Sequence, residues 1–153
     1  AATAAAPVIP ARETIIVGAH YDHLGFGGSA SAAPGEQAIH HGADDNASGT
    51  ALLLEVARRL ADAGPLPRNV LFVAFSGEER GLLGSAHYTA NPVLPLDDTV
   101  AMVNFDMVGR LADNKVIIYG TGTARSFDAL VDRLGKAHGF DVAKEPGGFG
   151  PSD

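Results

Sequence analysis

The sequence contains no cysteine, so disulfides and thiolate metal sites are excluded and any zinc chemistry must rest on histidine and carboxylate. That absence is compatible with any compartment. Positive charge is scarce: eleven Lys and Arg stand against eighteen Asp and Glu, the net charge is -7, and the basic residues form no cluster. Such a surface does not attract phosphate backbones, which disfavours nucleic-acid binding. No apolar run approaches the ~20 residues that span a bilayer. The Ala-rich start, Ala1 to Pro10, lacks a basic region and does not read as a signal peptide. Neither a Gly-x-Ser-x-Gly elbow nor a His-Glu-x-x-His helix occurs, which leaves serine hydrolase and single-helix zinc protease readings without footing. Gly120-Thr121-Gly122 has Arg125 where the third glycine of a dinucleotide loop would stand, and reads as a simple turn.

What is present is enough for one well-buried core. The chain has 153 residues, 46% of them hydrophobic, with seven Phe and three Tyr. Residues 1–13 are small, punctuated by proline and unperiodic, as in a leader or linker. The run Thr14 to His20 predicts a strand buried on both faces, and Tyr21 to His41 a long loop of the kind that usually carries function. Leu52, Leu53, Val56, Ala57 and Leu60 recur at helical spacing, predicting a helix from near Ala47 to about Ala63, stopped by Gly64 and Pro65. Strands follow at Asn69 to Phe75, Val100 to Phe105 and Lys115 to Tyr119. A short helix passes through Leu82, Leu83 and Tyr88, and a longer one runs from Ala124 to His138. This order predicts an α/β three-layer sandwich, with helices on both faces of a largely parallel central sheet.

In such sheets, sites form beyond the carboxyl ends of the strands. His20, Glu78, Glu79 and Asp106 fall at such ends, and Asp45 lies where the loop enters the first helix. An isolated Asp at that junction would more often only cap the helix, as would Asn46. The company of other ligand-type residues favours a mixed nitrogen and oxygen site suited to zinc, or less specifically to manganese or cobalt. A central Asp can bridge two metals ~3.5–4 Å apart. Asp22, two residues past His20, is placed to accept the second imidazole N–H. Glu78 and Glu79 cannot both ligate easily from one turn, so one would ligate and the other act as general base. Two divalent ions against Asp45, Glu79, Asp106 and a bridging hydroxide leave such a cluster close to neutral.

Four segments, Gly18-Ala19-His20-Tyr21-Asp22-His23-Leu24-Gly25, Gly42-Ala43-Asp44-Asp45-Asn46-Ala47-Ser48-Gly49, Phe75-Ser76-Gly77-Glu78-Glu79-Arg80-Gly81 and Asn104-Phe105-Asp106-Met107-Val108-Gly109, carry a resemblance. In order and content they are similar to the successive motifs of the M28 family of zinc-dependent exopeptidases. The resemblance implies that His20, Asp45 and Asp106 hold one zinc and that Asp45 and Glu79 hold a second. It makes Glu78 the general base, Asp22 the acid behind His20, and the Asp45–Asn46 peptide bond cis. It implies an exported, extracellular or periplasmic aminopeptidase acting on peptides with a free N-terminus. The family's second zinc also takes a histidine that follows a Ser-Asp pair, and Ser152-Asp153 close this sequence. Residues 14–153 are therefore expected to be a C-terminally incomplete peptidase domain, inactive or nearly so by itself.

His23, His40 and His41 are expected to line a polar loop, with His40 or His41 as possible substitutes for the absent histidine. His87 and His138 are expected on helices, at or near the surface. The alternatives are a non-catalytic binding module on the peptidase fold and a glutaminyl-cyclase-like single-zinc enzyme. The first typically loses ligands that are kept here, and the second has no use for His20 and Asp106.

Overall fold

The computed structural model describes residues 12–153. Most of the leader expected over 1–13 thus lies outside the described residues. Arg12 and Glu13 are already tied into the fold, Arg12 to Asp98 at 2.9 Å and Glu13 to Arg68 at 2.6 Å.

The architecture is α/β with parallel strands, and the central strand is the apolar run at the start. β1 (Thr14–His20) lies between β2 (Asn69–Phe75) and β3 (Thr99–Asn104), parallel to both. Its β-branched Ile15, Ile16 and Val17 suit a strand flanked on both edges, and Ile16, Val17 and Ala19 are buried. Gly18 is required by close packing: a Cβ there would sit 2.8 Å from the Phe75 ring and 3.1 Å from Asn104 Oδ1.

The first helix, α1 (Gly49–Asp62), lays Leu53 on Val17 and Ala19, with Ile15, Val70, Phe72 and Phe105 around them. It is preceded by a kinked turn, Ala43–Ser48, so regular helix starts two residues later than the periodicity predicts. Asp45 and Asn46 are the non-helical residues of that turn, and the Asn46 side-chain oxygen takes the N–H of Gly49 at 3.0 Å, as a residue capping a helix start does.

A shorter helix, α2 (Leu83–Ala90), follows β2. Beyond β3, the strands β4 (Lys115–Tyr119) and β5 (Asp141–Glu145) pair in parallel through α3 (Phe127–His138) as a separate two-stranded sheet. No apolar run marks β5, where Val142 and Ala143 sit among charges, so its pairing comes from tertiary contact and not from local pattern. The Gly120-Thr121-Gly122 segment is the simple turn expected, with Thr123 N–H bonded to the Gly120 carbonyl at 3.0 Å.

Register places the site. His20 is level with Phe75 at the end of β2, and Gly18 with Asn104 at the end of β3. The residues that leave those strands, Gly77-Glu78-Glu79 and Phe105-Asp106, therefore emerge beside His20 at one edge of the sheet.

Candidate metal centre

His20 ends β1 completely buried. Its Nε2 faces two carboxylates, Asp45 Oδ1 at 3.2 Å and Asp106 Oδ1 at 3.3 Å, with Glu78 Oε2 at 3.9 Å. Its Nδ1 lies 3.2 Å from the backbone carbonyl of Asp22 and 3.7 Å from that residue's carboxylate. The backbone oxygen is thus the nearer acceptor, unlike the carboxylate contact the spacing predicts. The Asp22 carboxylate instead accepts the backbone N–H of Glu78 at 3.2 Å.

Asp45 stands in the kinked turn, preceded by Gly42 at φ 62° and followed by a cis peptide bond to Asn46, as the motif implies. A mesh of polar contacts centred on the buried Asn46 fixes this turn to the loop after β3. Asn46 is 2% exposed; it donates to the Phe105 carbonyl at 2.9 Å and accepts from Gly49 N–H at 3.0 Å and Met107 N–H at 3.2 Å. Asp44 accepts the Gly109 N–H at 2.7 Å and pairs with Arg110 at 2.8 Å, while the Ser48 hydroxyl accepts from Val108 N–H at 3.0 Å. Asn46 thus caps α1, the role open to either it or Asp45, and leaves the Asp45 carboxylate free to face His20.

Glu78 and Glu79 occupy one tight turn after Gly77 and point to different partners, as two adjacent side chains on a turn must. Glu79 Oε1 lies 2.6 Å from His23 Nδ1. His23 Nδ1 is also 3.8 Å from Asp45 Oδ2. The two oxygens of Asp45 therefore face two separate sets, one made with His20 and Asp106 and the other with His23 and Glu79. Within each set the candidate donor atoms lie within 4.8 Å of one another.

Electrostatics expose the tension in this arrangement. Burial pushes the Glu78 carboxyl up to about 7, reinforced by the charges of Asp106, Glu79 and Asp153 and opposed by His20. For His20, burial alone lowers the pKa, and the carboxylates of Asp106, Glu78 and Asp45 overturn that to leave it raised. Two imidazoles face Asp22, Asp45, Glu78, Glu79 and Asp106, a surplus of negative charge that a divalent cation would relieve. The donor set of imidazole and carboxylates, held by a rigid hydrogen-bonded frame, fits zinc or a similar ion.

Beside the second set opens a cavity of about 540 Å³, lined among others by His23, Leu24, Ala32, Asp45, Met107 and Arg110. At the edge of the site, Asp153 accepts from the Ser85 hydroxyl at 2.5 Å, and Ser152 from the Asn104 side chain at 2.9 Å.

A sequence model of peptidase family M28 matches residues 4–153. The chain belongs to peptidase family M28. Among its curated relatives, the aminopeptidase YwaD of Bacillus subtilis is 38% identical over 98 residues, covering 63% of this chain and 18% of that protein. An aminopeptidase of Pseudomonas aeruginosa is 36% identical over 133 residues, 83% of this chain and 22% of its own. A probable zinc metalloprotease of Pyrenophora tritici-repentis is 44% identical over 68 residues, 44% of this chain and 15% of its own. The chain thus spans about a fifth of the length of these relatives. No solved structure matches it.

All six residues singled out from the sequence, His20, Asp22, Asp45, Glu78, Glu79 and Asp106, meet at this edge of the M28 chain. His23 is the addition: expected to line a polar loop, it touches Glu79. His40 lies 3.4 Å from the Ser31 hydroxyl, and His41, His87 and His138 are exposed. Asn46, Asp44 and Ser48 also escape a search for ligand types, because their work is to fasten two loops distant in sequence. No helix among the described residues is long and apolar enough to cross a membrane.

Proposed function

We propose that this chain carries the active site of a metal-dependent aminopeptidase that uses two divalent ions, zinc by preference. The observation that supports it most is the convergence of His20 Nε2 with Asp45 Oδ1 and Asp106 Oδ1, at 3.2 and 3.3 Å, from three separate segments of the chain. His20, Asp45 and Asp106 would hold the first ion, and Asp45 and Glu79 the second, with Asp45 shared. Such ions supply a Lewis acid for the peptide carbonyl and lower the pKa of a water toward neutrality.

The protein's own residues do the rest. Glu78, whose Oε2 reaches within 3.9 Å of His20 Nε2, takes the proton of the attacking water and returns it to the leaving amine. Asp22 holds the backbone of Glu78 in place and stands next to His20, so one residue sets both the base and a ligand. The surplus of carboxylates attracts the ammonium group of a peptide's free N-terminus. An exported location belongs to the same proposal.

Glu78→Gln in the full-length protein tests the reading. Metal content stays at the parent level while kcat on aminoacyl-anilides falls ~10²–10⁴-fold. A variant as active as the parent would refute the role of Glu78.

A further inference from the structure

We propose that Asp44 is a positioning residue for the first ion: its carboxylate ties the loop that carries Asp106 to the turn that carries Asp45, and so sets the spacing of two ligands without being one. The inference rests on the metal-site reading above. Donors each ~2.0–2.1 Å from a tetrahedral ion stand roughly 3.3 Å apart. His20 Nε2 lies 3.2 Å from Asp45 Oδ1 and 3.3 Å from Asp106 Oδ1, which is the spacing such an ion needs. A metal site tolerates only about 0.5 Å of slack in its ligands. Two carboxylates from distant segments therefore need a tie that holds one segment to the other.

Apolar packing does not supply it on the side that follows Asp106. Met107, Val108, Gly109 and Arg110 are all exposed, and Met107 has φ 50°, a conformation that residues other than glycine seldom adopt. The loop is held instead by three successive backbone N–H groups, each taken by a side chain of the turn before α1. Met107 donates to Asn46 at 3.2 Å, Val108 to Ser48 at 3.0 Å and Gly109 to Asp44 at 2.7 Å. The last is the shortest, and its acceptor is a carboxylate, which makes a stronger hydrogen bond than a neutral oxygen. Asp44 also adjoins Asp45 in the chain, so a shift of one moves the other. The contact leaves no room for a side chain on Gly109, where a Cβ would meet Asp44 Oδ1 at 2.8 Å and Ser48 Cβ at 3.1 Å.

Asp44 belongs to neither of the two donor sets around Asp45. Its Oδ2 is buried and accepts no hydrogen bond, with the Arg110 side chain 2.8 Å away as its charge partner. One more carboxylate beside Asp22, Asp45, Glu78, Glu79 and Asp106 adds to the surplus of negative charge, and Arg110, from the loop that Asp44 holds, offsets it. The pair thus gives the loop a second attachment, one residue beyond the hydrogen bond to Gly109.

The test is a cobalt(II) titration of the full-length protein, followed by visible absorption. The parent is compared with Asp44→Ala, Asp44→Asn, Gly109→Ala and Val142→Ala. The last loosens β5 against α3 in the separate sheet, and so measures what a loss of stability by itself does to the ion. The expected result is that Asp44→Ala binds its first cobalt ~10–100-fold more weakly than the parent, with altered absorption bands. Gly109→Ala, which wedges the same contact apart with every charge kept, follows it. Asp44→Asn keeps an acceptor for the Gly109 N–H and loses less, while Val142→Ala melts lower than the parent and binds cobalt as the parent does. Parent affinity and absorption in both Asp44→Ala and Gly109→Ala, or losses no larger than that of Val142→Ala, overturn the proposal and leave the metal-site reading standing. A parent that takes up no cobalt overturns both.

Discussion

Asp22 accepts the backbone N–H of Glu78 through Oδ1 at 3.2 Å, across 56 positions of sequence. The same residue offers its carbonyl to His20, so β1 and β2 are joined at their carboxyl ends by a side chain that touches both the candidate base and a candidate ligand. Asp22→Ala is expected to lower kcat/KM ~10–100-fold, the usual effect of removing a group that orients ligands, while Asp22→Asn, which keeps an acceptor, loses less. Steady-state kinetics of the two variants check this. Equal losses would mean that charge and not the hydrogen bond matters.

Asn46 should be the most costly polar side chain to remove. Its truncation to Ala strands the Phe105 carbonyl and the N–H groups of Gly49 and Met107 in a site that is 2% exposed. A loss of roughly 2–4 kcal/mol is expected in urea unfolding of the metal-free protein. A loss under about 0.5 kcal/mol would show that the mesh around Asp45 carries no stability.

The raised pKa of Glu78 has a definite sign in stability. Between its ordinary 4.5 and its folded value of about 7, the folded chain holds a proton that the unfolded chain has released. This group therefore costs nothing below about 4.5, and the metal-free protein loses stability as pH rises through about 7. Glu78→Gln removes the titration. In chelator, the melting temperature of the variant relative to the parent should climb between pH 4.5 and pH 8, and a flat difference would contradict the placement of Glu78 in this desolvated, acidic site.

Metal removal should destabilise the protein by linkage. At free zinc 100-fold above Kd, each ion that binds only the folded state adds ~2.7 kcal/mol. Chelation should lower the melting temperature by a matching amount, and His20→Ala should abolish most of that response. A chelator-independent melt in the parent would argue against a folded-state cation site.

Much of this was legible in the sequence because the evidence there is local. The apolar run ending at His20 marks a central strand, and in a parallel sheet its carboxyl end is where the site forms. The kink that starts α1 late and the strand β5 were less legible. The first depends on Asn46 bonding to Phe105, 59 residues away, and the second on pairing with β4. His23 is hidden for the same reason: nothing in its own neighbourhood announces Glu79, and only the register of β1 with β2 brings them together. Asp22 is the intermediate case: its carboxylate stands 3.7 Å from His20 Nδ1, as the spacing suggests, but the chain turn brings its backbone carbonyl nearer, at 3.2 Å.

The most direct measurement is an anomalous difference map at the zinc absorption edge, from crystals of the zinc-loaded full-length protein. The account predicts a peak ~2.0–2.2 Å from His20 Nε2 and from carboxylate oxygens of Asp45 and Asp106, with a second peak on the other side of Asp45. A fully loaded crystal with no peak touching these three residues would contradict it.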